Sequence, residues 1–210
     1  MAKVEDATTA TPTEATTTPP TAKVEDKEEE ECCCPKFDRS RFPDGNGKEL
    51  QWKDKAFVKE HVWCFLYIPF TFGWAMTRGW KKIVKAKLDP SPQEFIVLAD
   101  MKSPWYSNIY LSVKEEEVTE EGEENEKKKK VVVVPDCEMV YMTGSFLTKV
   151  FEGPYSQFGK WIKSMKEYVR SQGYLEDDVN NMDMYAYYAT CPKCAKKYGE
   201  NYTVLFVKVD

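Results

Sequence analysis

One stretch, residues 143–173 (TGSFLTKVFEGPYSQFGKWIKSMKEYVRSQG), constrains the fold more than any other part of the chain. It opens with the alternating side chains of a strand and continues past Gly153-Pro154 with Phe158, Trp161, Ile162, Met165 and Val169 at helical spacing. Glycine tolerates backbone angles closed to other residues and proline supplies a fixed φ, so the strand passes into the helix with little loop between. Gly173 ends the helix. The same pattern stands upstream. Residues 62–68 (VWCFLYI) read as a strand, Pro69 as the junction, and 72–87 as a helix with Phe72, Ala75, Met76, Gly79, Trp80 and Ile83 on its apolar stripe. Two further strand candidates follow each helix, 95–99 and 109–113 in the first copy, 184–189 and 203–209 in the second. The expectation is an α+β domain in which duplicated βαββ units form an antiparallel sheet with two helices on one face. That domain takes residues 32–210, with repeat one at about 57–114, a charged linker at about 115–130 and repeat two at about 137–210.

Charge is spread unevenly along the chain. Residues 1–31 carry nine acidic side chains against three lysines, and 115–130 carry eight against four. The net charge of -5 therefore belongs to these two segments, and the rest of the chain is modestly basic. Residues 1–31 are rich in Thr, Pro and Glu and nearly empty of large apolar side chains, so they are expected to be a disordered acidic tail. The 115–130 run reads as a solvated linker or a frayed hairpin tip, with a short strand at 131–134. Lys and Arg are scattered rather than clustered with aromatics, which argues against nucleic acid as a partner. No stretch has the length of a membrane-spanning helix, and the first residues lack the basic front and apolar run of a secretory signal. A cytoplasmic protein with no membrane partner is expected.

The first strand candidate is the most informative about function. Successive side chains alternate, so Val62, Cys64, Leu66 and Ile68 face the helix while Trp63, Phe65 and Tyr67 face the other way. Tyr110, Tyr185 and Tyr187 fall on that same face by the same parity. Laying the second copy on the first puts Glu152 opposite Tyr67. Ligand binding is therefore expected at Trp63, Phe65, Tyr67, Tyr110, Glu152, Tyr185 and Tyr187, where rings and a carboxylate would hold a flat aromatic or cationic small molecule. The rival reading of the same rings is a filled core. A catalytic version uses Glu152 as general base for water and Tyr155 or Tyr187 as hydrogen-bond donor to a leaving oxygen. There is no GxSxG elbow, and His61 is the one histidine available to a Ser-His-Asp arrangement.

Seven cysteines do not form an evenly spaced disulfide framework and suit a reducing compartment. In the last loop, Cys191 and Cys194 have the spacing of half a zinc site or of a redox dithiol; a scaffold-stabilising zinc would be completed by two of Cys32 to Cys34, such as Cys33 and Cys34, or by Cys137 or His61. No cofactor other than such a zinc is expected. Residues 32–52 read as an irregular strap that packs Phe37, Phe42 and Trp52 onto the domain. The glycines of DGNGK, and of 153–161, do not match the spacing of a phosphate-binding loop.

With two strand-helix-strand-strand units and the motifs CCPKFD, SPW, TKVFEGPY and TCPKCAKKYG, the chain resembles the GyrI-like small-molecule-binding superfamily over Cys33 to Val209. The resemblance implies two βαββ repeats with a groove between them for small, often aromatic or cationic, molecules. Relatives include gyrase inhibitors, effector-binding domains of multidrug-responsive activators, SOUL-type haem proteins and hydrolases of cyclopropane-bearing alkylators. Two positions depart from the usual pattern. Glu152 stands where His is frequent, and Tyr185-Ala186-Tyr187 stands where relatives often carry a buried Glu. A regulatory role would need a partner to supply DNA binding.

Overall fold

The computed structural model describes residues 35–42, 47–65, 68–100, 102–103, 105–115, 117–118, 128–129 and 131–210. The expected acidic tail, Cys33, Cys34, Leu66 and Tyr67 lie outside them. Strand β1 (Lys48–Phe65) turns back into β2 (Ile68–Pro69), and α1 (Phe72–Lys85), β3 (Val97–Asp100) and β4 (Tyr106–Ser112) follow. A small hairpin, β5 (Glu117–Val118) with β6 (Lys128–Lys129), leads to β7 (Glu138–Glu152), α2 (Phe158–Ser171), α3 (Glu176–Asn181), β8 (Met184–Tyr188), α4 (Pro192–Tyr198) and β9 (Tyr202–Lys208). Every pairing is antiparallel. The order β1-β4-β3-β8-β9-β7, with β7 returning to pair with β1, closes six strands into a barrel.

Closure divides the apolar residues between an outer and an inner face. On the outer face, Ala75 and Ile83 of α1 pack on Val58, Val62, Ile109 and Leu111, while Trp161, Met165 and Val169 of α2 pack on Leu147, Ala186 and Leu205. These are the stripes that the 3.6-residue period marks in the sequence. At Gly79 α1 lies close against the sheet: a Cβ there would stand 3.1 Å from Leu111 and 3.2 Å from Glu60. On the inner face, Phe57, Leu98, Tyr110, Phe146, Tyr185 and Phe206 fill the barrel.

Three expectations change on contact with the structure. The strap ends earlier than expected, because β1 begins at Lys48 and carries Trp52 inside the sheet. Residues 131–134 form no strand; Val132 and Val134 are instead buried against the α1 side of the sheet. The CPKC stretch, read as loop, starts the short helix α4, where Pro192 in the first turn suits a helix start. Among the described residues no helix is long and apolar enough to cross a membrane.

A bulge in β1 decides what reaches the barrel interior. Trp52 pairs with Gly144 and Lys55 with Met142, so β1 holds one residue more than β7 between these pairs. The extra residue lets Asp54 take a left-handed φ of 50°. It is fixed by its own N–H donating to Thr143 Oγ1 and by the Thr143 hydroxyl donating to Asp54 Oδ1, each at 2.9 Å. A bulge shifts the alternation by one. Leu50 and Trp52 before it, and Phe57 after it, therefore all belong to the inner cluster.

Candidate functional site

The strap over one end of the barrel supplies an open cleft. Phe37 lies on Tyr202 with ring centroids 5.0 Å apart, and Phe42 meets Phe206 edge-on at 5.9 Å. Beside this contact is a cleft of about 240 Å³ lined by Arg41, Phe42, Leu50, Trp52, Lys55, Glu94 and Ile96. Trp52 is its aromatic floor and is itself held by Phe146 at 4.5 Å, Phe206 at 5.6 Å and Phe57 at 5.7 Å. Lys55 Nζ stands 5.9 Å above the Trp52 ring, and the Arg41 guanidinium 5.6 Å from Phe42. The cleft thus joins an apolar base to a rim of two cations and one carboxylate.

Deeper on the same inner face is a polar cluster built around Asp100, a buried carboxylate. Asn108 donates its backbone N–H to Oδ1 at 3.0 Å and its side-chain amide to Oδ2 at 2.7 Å, and the Tyr110 hydroxyl donates to Oδ2 at 3.3 Å. Tyr185, cross-strand from Asp100, meets Tyr110 edge-on with centroids 5.8 Å apart. Burial holds the Tyr110 hydroxyl far above its ordinary range, and the Asp100 charge adds to this. Burial, with Asp183 and Asp100, pushes Tyr185 up to about 12.

The expected site residues are dispersed over this framework. Tyr110 and Tyr185 come together inside the barrel around Asp100. Tyr187 shares that face; its hydroxyl donates to the Phe95 carbonyl at 3.4 Å, and its ring is 6.5 Å from Phe42 of the cleft. Glu152 ends β7 beside the strap, half exposed, with Arg39 at 3.5 Å. Tyr155 is on the outer face, its hydroxyl donating to the Thr190 carbonyl at 2.7 Å and its ring against Tyr188. Trp63 and Phe65 are exposed near the far end of β1. Because Lys48 pairs with Thr148 and Lys59 with Glu138, those two rings and Glu152 lie at opposite ends of the β1–β7 ladder. The structure does not bring them together.

Of the expected zinc ligands, Cys191 precedes α4 and its Sγ accepts the Cys194 N–H at 3.4 Å, while Cys194 is buried. Among the described residues no three His, Cys, Asp or Glu side chains are grouped to hold a metal. Lys55, Glu94 and Asp100 were not among the expected site residues, and Trp52 was expected only to pack the strap onto the domain. Asp100 stands next to a strand candidate and continues its inner-face parity through Leu98, so its position was readable; the bulge that brings Lys55 round to the cleft had no sequence signal.

Tyr188 supplies a pH-dependent prediction. It sits between both helices, 6.2 Å from Phe72 and 6.2 Å from Phe158, and burial, with Tyr155 and Cys64 beside it, pushes its hydroxyl up to about 12. The fold prefers the neutral phenol. Its contribution is intact below an unfolded value near 10, and it is lost as pH rises from about 10 toward 12, on the order of 2 kcal/mol for this ring. Tyrosinate absorbance and circular dichroism followed together should show Tyr188 and Tyr185 ionising well after the exposed tyrosines, with stability falling over the same pH range. Titration of all tyrosines together near pH 10 in a still-folded protein would contradict this.

The fold is thus a barrel with helices on its outer face and a charged-rimmed aromatic cleft at one end. The chain belongs to the family described as Bacterial hydrolase, whose model matches residues 24–209. No curated protein matches it. Among solved structures it is similar to an uncharacterised conserved protein from Listeria innocua, with 11% identity and a TM-score of 0.48, covering 78% of this chain and 92% of that one. It is also similar to SAV2435 bound to tetraphenylphosphonium, with 8% identity and a TM-score of 0.43, covering 78% of this chain and 93% of that one.

Proposed function

We propose that this chain is a GyrI-like domain that binds a flat aromatic small molecule over Trp52 and Phe42. The cleft between strap, β1 and the segment before β3 carries the reading, because open volume, ring faces and charged side chains meet there. Its volume is below the roughly 300–1,000 Å³ of drug-sized sites, so a ligand of one or two rings is the right scale. Lys55 and Arg41 already lie over the two ring faces, and they outnumber Glu94 on the rim. Of the aromatic or cationic ligands expected from the sequence, an aromatic anion or zwitterion therefore fits better than a cation, which would have to displace Lys55 and Arg41. Two copies of one βαββ unit are part of this proposal. Exchanging β1, β3 and β4 for β7, β8 and β9 turns the sheet order into its own reverse, which supports duplication. So is a cytosolic location, which suits four described cysteines, none of them in a disulfide.

Calorimetry with anilinonaphthalene sulfonate and with tetraphenylphosphonium tests the reading. The aromatic anion should bind saturably, and Lys55→Glu should weaken it about tenfold by replacing attraction with repulsion at the rim. No saturable binding of either probe would end the proposal.

Membership of a family described as hydrolases favours a second reading at the same cleft. Glu94 lines it and is one candidate to activate water; Glu152, beyond Arg39, is the candidate expected from the sequence. Tyr187 is the better-placed hydrogen-bond donor, because Tyr155 lies across the sheet. Turnover of an aromatic epoxide that disappears in Glu94→Gln or Glu152→Gln would establish hydrolysis; binding without turnover would remove it.

A further inference from the structure

Six aromatic side chains at one end of the barrel have no part in the cleft. Trp63, Phe65, Phe70, Trp74, Trp105 and Tyr106 are each more than half exposed. They are drawn together by the backbone. Trp63 pairs with Tyr106, the Cys64 N–H donates to the Trp105 carbonyl at 2.8 Å, and the Phe70 N–H donates to the Trp63 carbonyl at 3.1 Å. The Phe65 and Trp105 rings meet edge-on at 5.8 Å, and Trp74 stands in the first turn of α1, just beyond Thr71, whose hydroxyl accepts the Trp63 N–H at 2.9 Å. A monomer seldom leaves so many large rings in contact with water without a use for them.

The charge around these rings identifies what covers them. The two chain segments that supply them, 61–88 and 101–114, contain no Asp or Glu. Of their cations, Lys87 and Lys114 stand at the other end of the barrel, where the Lys114 N–H donates to the Leu88 carbonyl at 2.8 Å, which leaves Arg78, Lys81, Lys82, Lys85 and Lys102 on the side of the rings. Three carboxylates from elsewhere approach: buried Glu60 is shared by Arg78 and Lys82, Asp183 meets Lys102 at 3.0 Å, and Glu138 meets Lys59 and lies near His61. Lys81 and Lys85 remain exposed on α1. A second copy of this end would bring like charges together. An anionic surface would not.

The geometry points to the surface of an anionic lipid bilayer as the partner of this end. Trp and Tyr favour the headgroup level, where an apolar ring and a polar edge are both satisfied. Lys81 and Lys85 follow Trp74 by seven and eleven residues along α1, roughly 10 and 16 Å at the helical rise. Rings entering the interface would therefore leave these ammonium groups at the depth of lipid phosphates, where each contributes attraction. The assignment is independent of the cleft reading, since it uses none of the cleft residues.

The full chain mixed with vesicles, either of phosphatidylcholine alone or of phosphatidylcholine and phosphatidylglycerol in equal parts, provides the test. It should sediment with the anionic vesicles only, release as salt is raised, and show a blue shift of tryptophan emission on binding. Lys81→Ala and Lys85→Ala should each lower partition about fivefold, and Trp63→Ala with Trp105→Ala about tenfold or more. All four side chains are exposed, so circular dichroism and thermal midpoints should be unchanged. No partition at low ionic strength, equal partition onto uncharged vesicles, or partition indifferent to these variants would overturn the assignment. So would light scattering that finds a dimer which Trp105→Ala dissolves.

Discussion

Phe206→Ala is expected to destabilise the protein by about 3–5 kcal/mol. Phe206 is fully buried at the centre of the barrel, between Trp52 at 5.6 Å and Phe42 at 5.9 Å. The cost comes from lost burial together with the cavity left behind. That cavity should persist, because the barrel radius is set by six hydrogen-bonded strands rather than by the side chain removed. Phe42 closes the strap onto this ring, so the substitution should also loosen the strap and weaken any ligand over Trp52. Urea unfolding measures the first effect and calorimetry the second. Trp63→Ala is the matched control: an equally large ring removed from an exposed site should change stability by no more than about 0.5 kcal/mol. A small loss for Phe206→Ala would mean that the barrel interior relaxes freely and is not the organising core.

Much of this core could be read from the sequence. The stripes of 72–87 and 158–169 became the buried faces of α1 and α2, since helical period and amphipathicity are local properties. Alternation in 62–65 correctly separated Val62 and Cys64, packed against α1, from Trp63 and Phe65. What parity cannot supply is position along a strand. Trp63 and Tyr110 share a face, but one stands exposed near a strand end and the other is sealed inside by closure of the sheet. Closure is a long-range pairing of β1 with β7, with no local signature. The bulge at Trp52 to Lys55 was equally hidden, because the short KDK between Trp52 and Ala56 reads as a turn or a polar strand segment. Without it Trp52 belonged to a strap and the cleft had no floor. Glu152 illustrates the same limit from the other side. Its place at the end of a strand before Gly153 was legible, whereas its pairing with Arg39 depends on a strap that crosses the barrel mouth.

Asp100→Ala is the second large effect expected, about 3 kcal/mol, and it separates a structural acid from a ligand-binding one. Three donors converge on this carboxylate, two from Asn108 and one from Tyr110, and Ser107 donates to its backbone carbonyl at 2.8 Å. Removing the acceptor leaves the Tyr110 hydroxyl and the Asn108 amide facing an apolar interior without it, and each such group costs about 1–3 kcal/mol. Asp100→Asn should cost less, because the amide oxygen can keep one of these bonds while its NH2 group opposes the Asn108 donors. If the carboxylate serves the fold, stability in urea should fall in the order wild type, Asn, Ala, and affinity for an aromatic anion should change only as far as unfolding does. If it serves a ligand, Asp100→Asn should retain its midpoint and lose binding. The fully satisfied geometry around Asp100 favours the first outcome: a charge already holding three donors has little left to offer a guest.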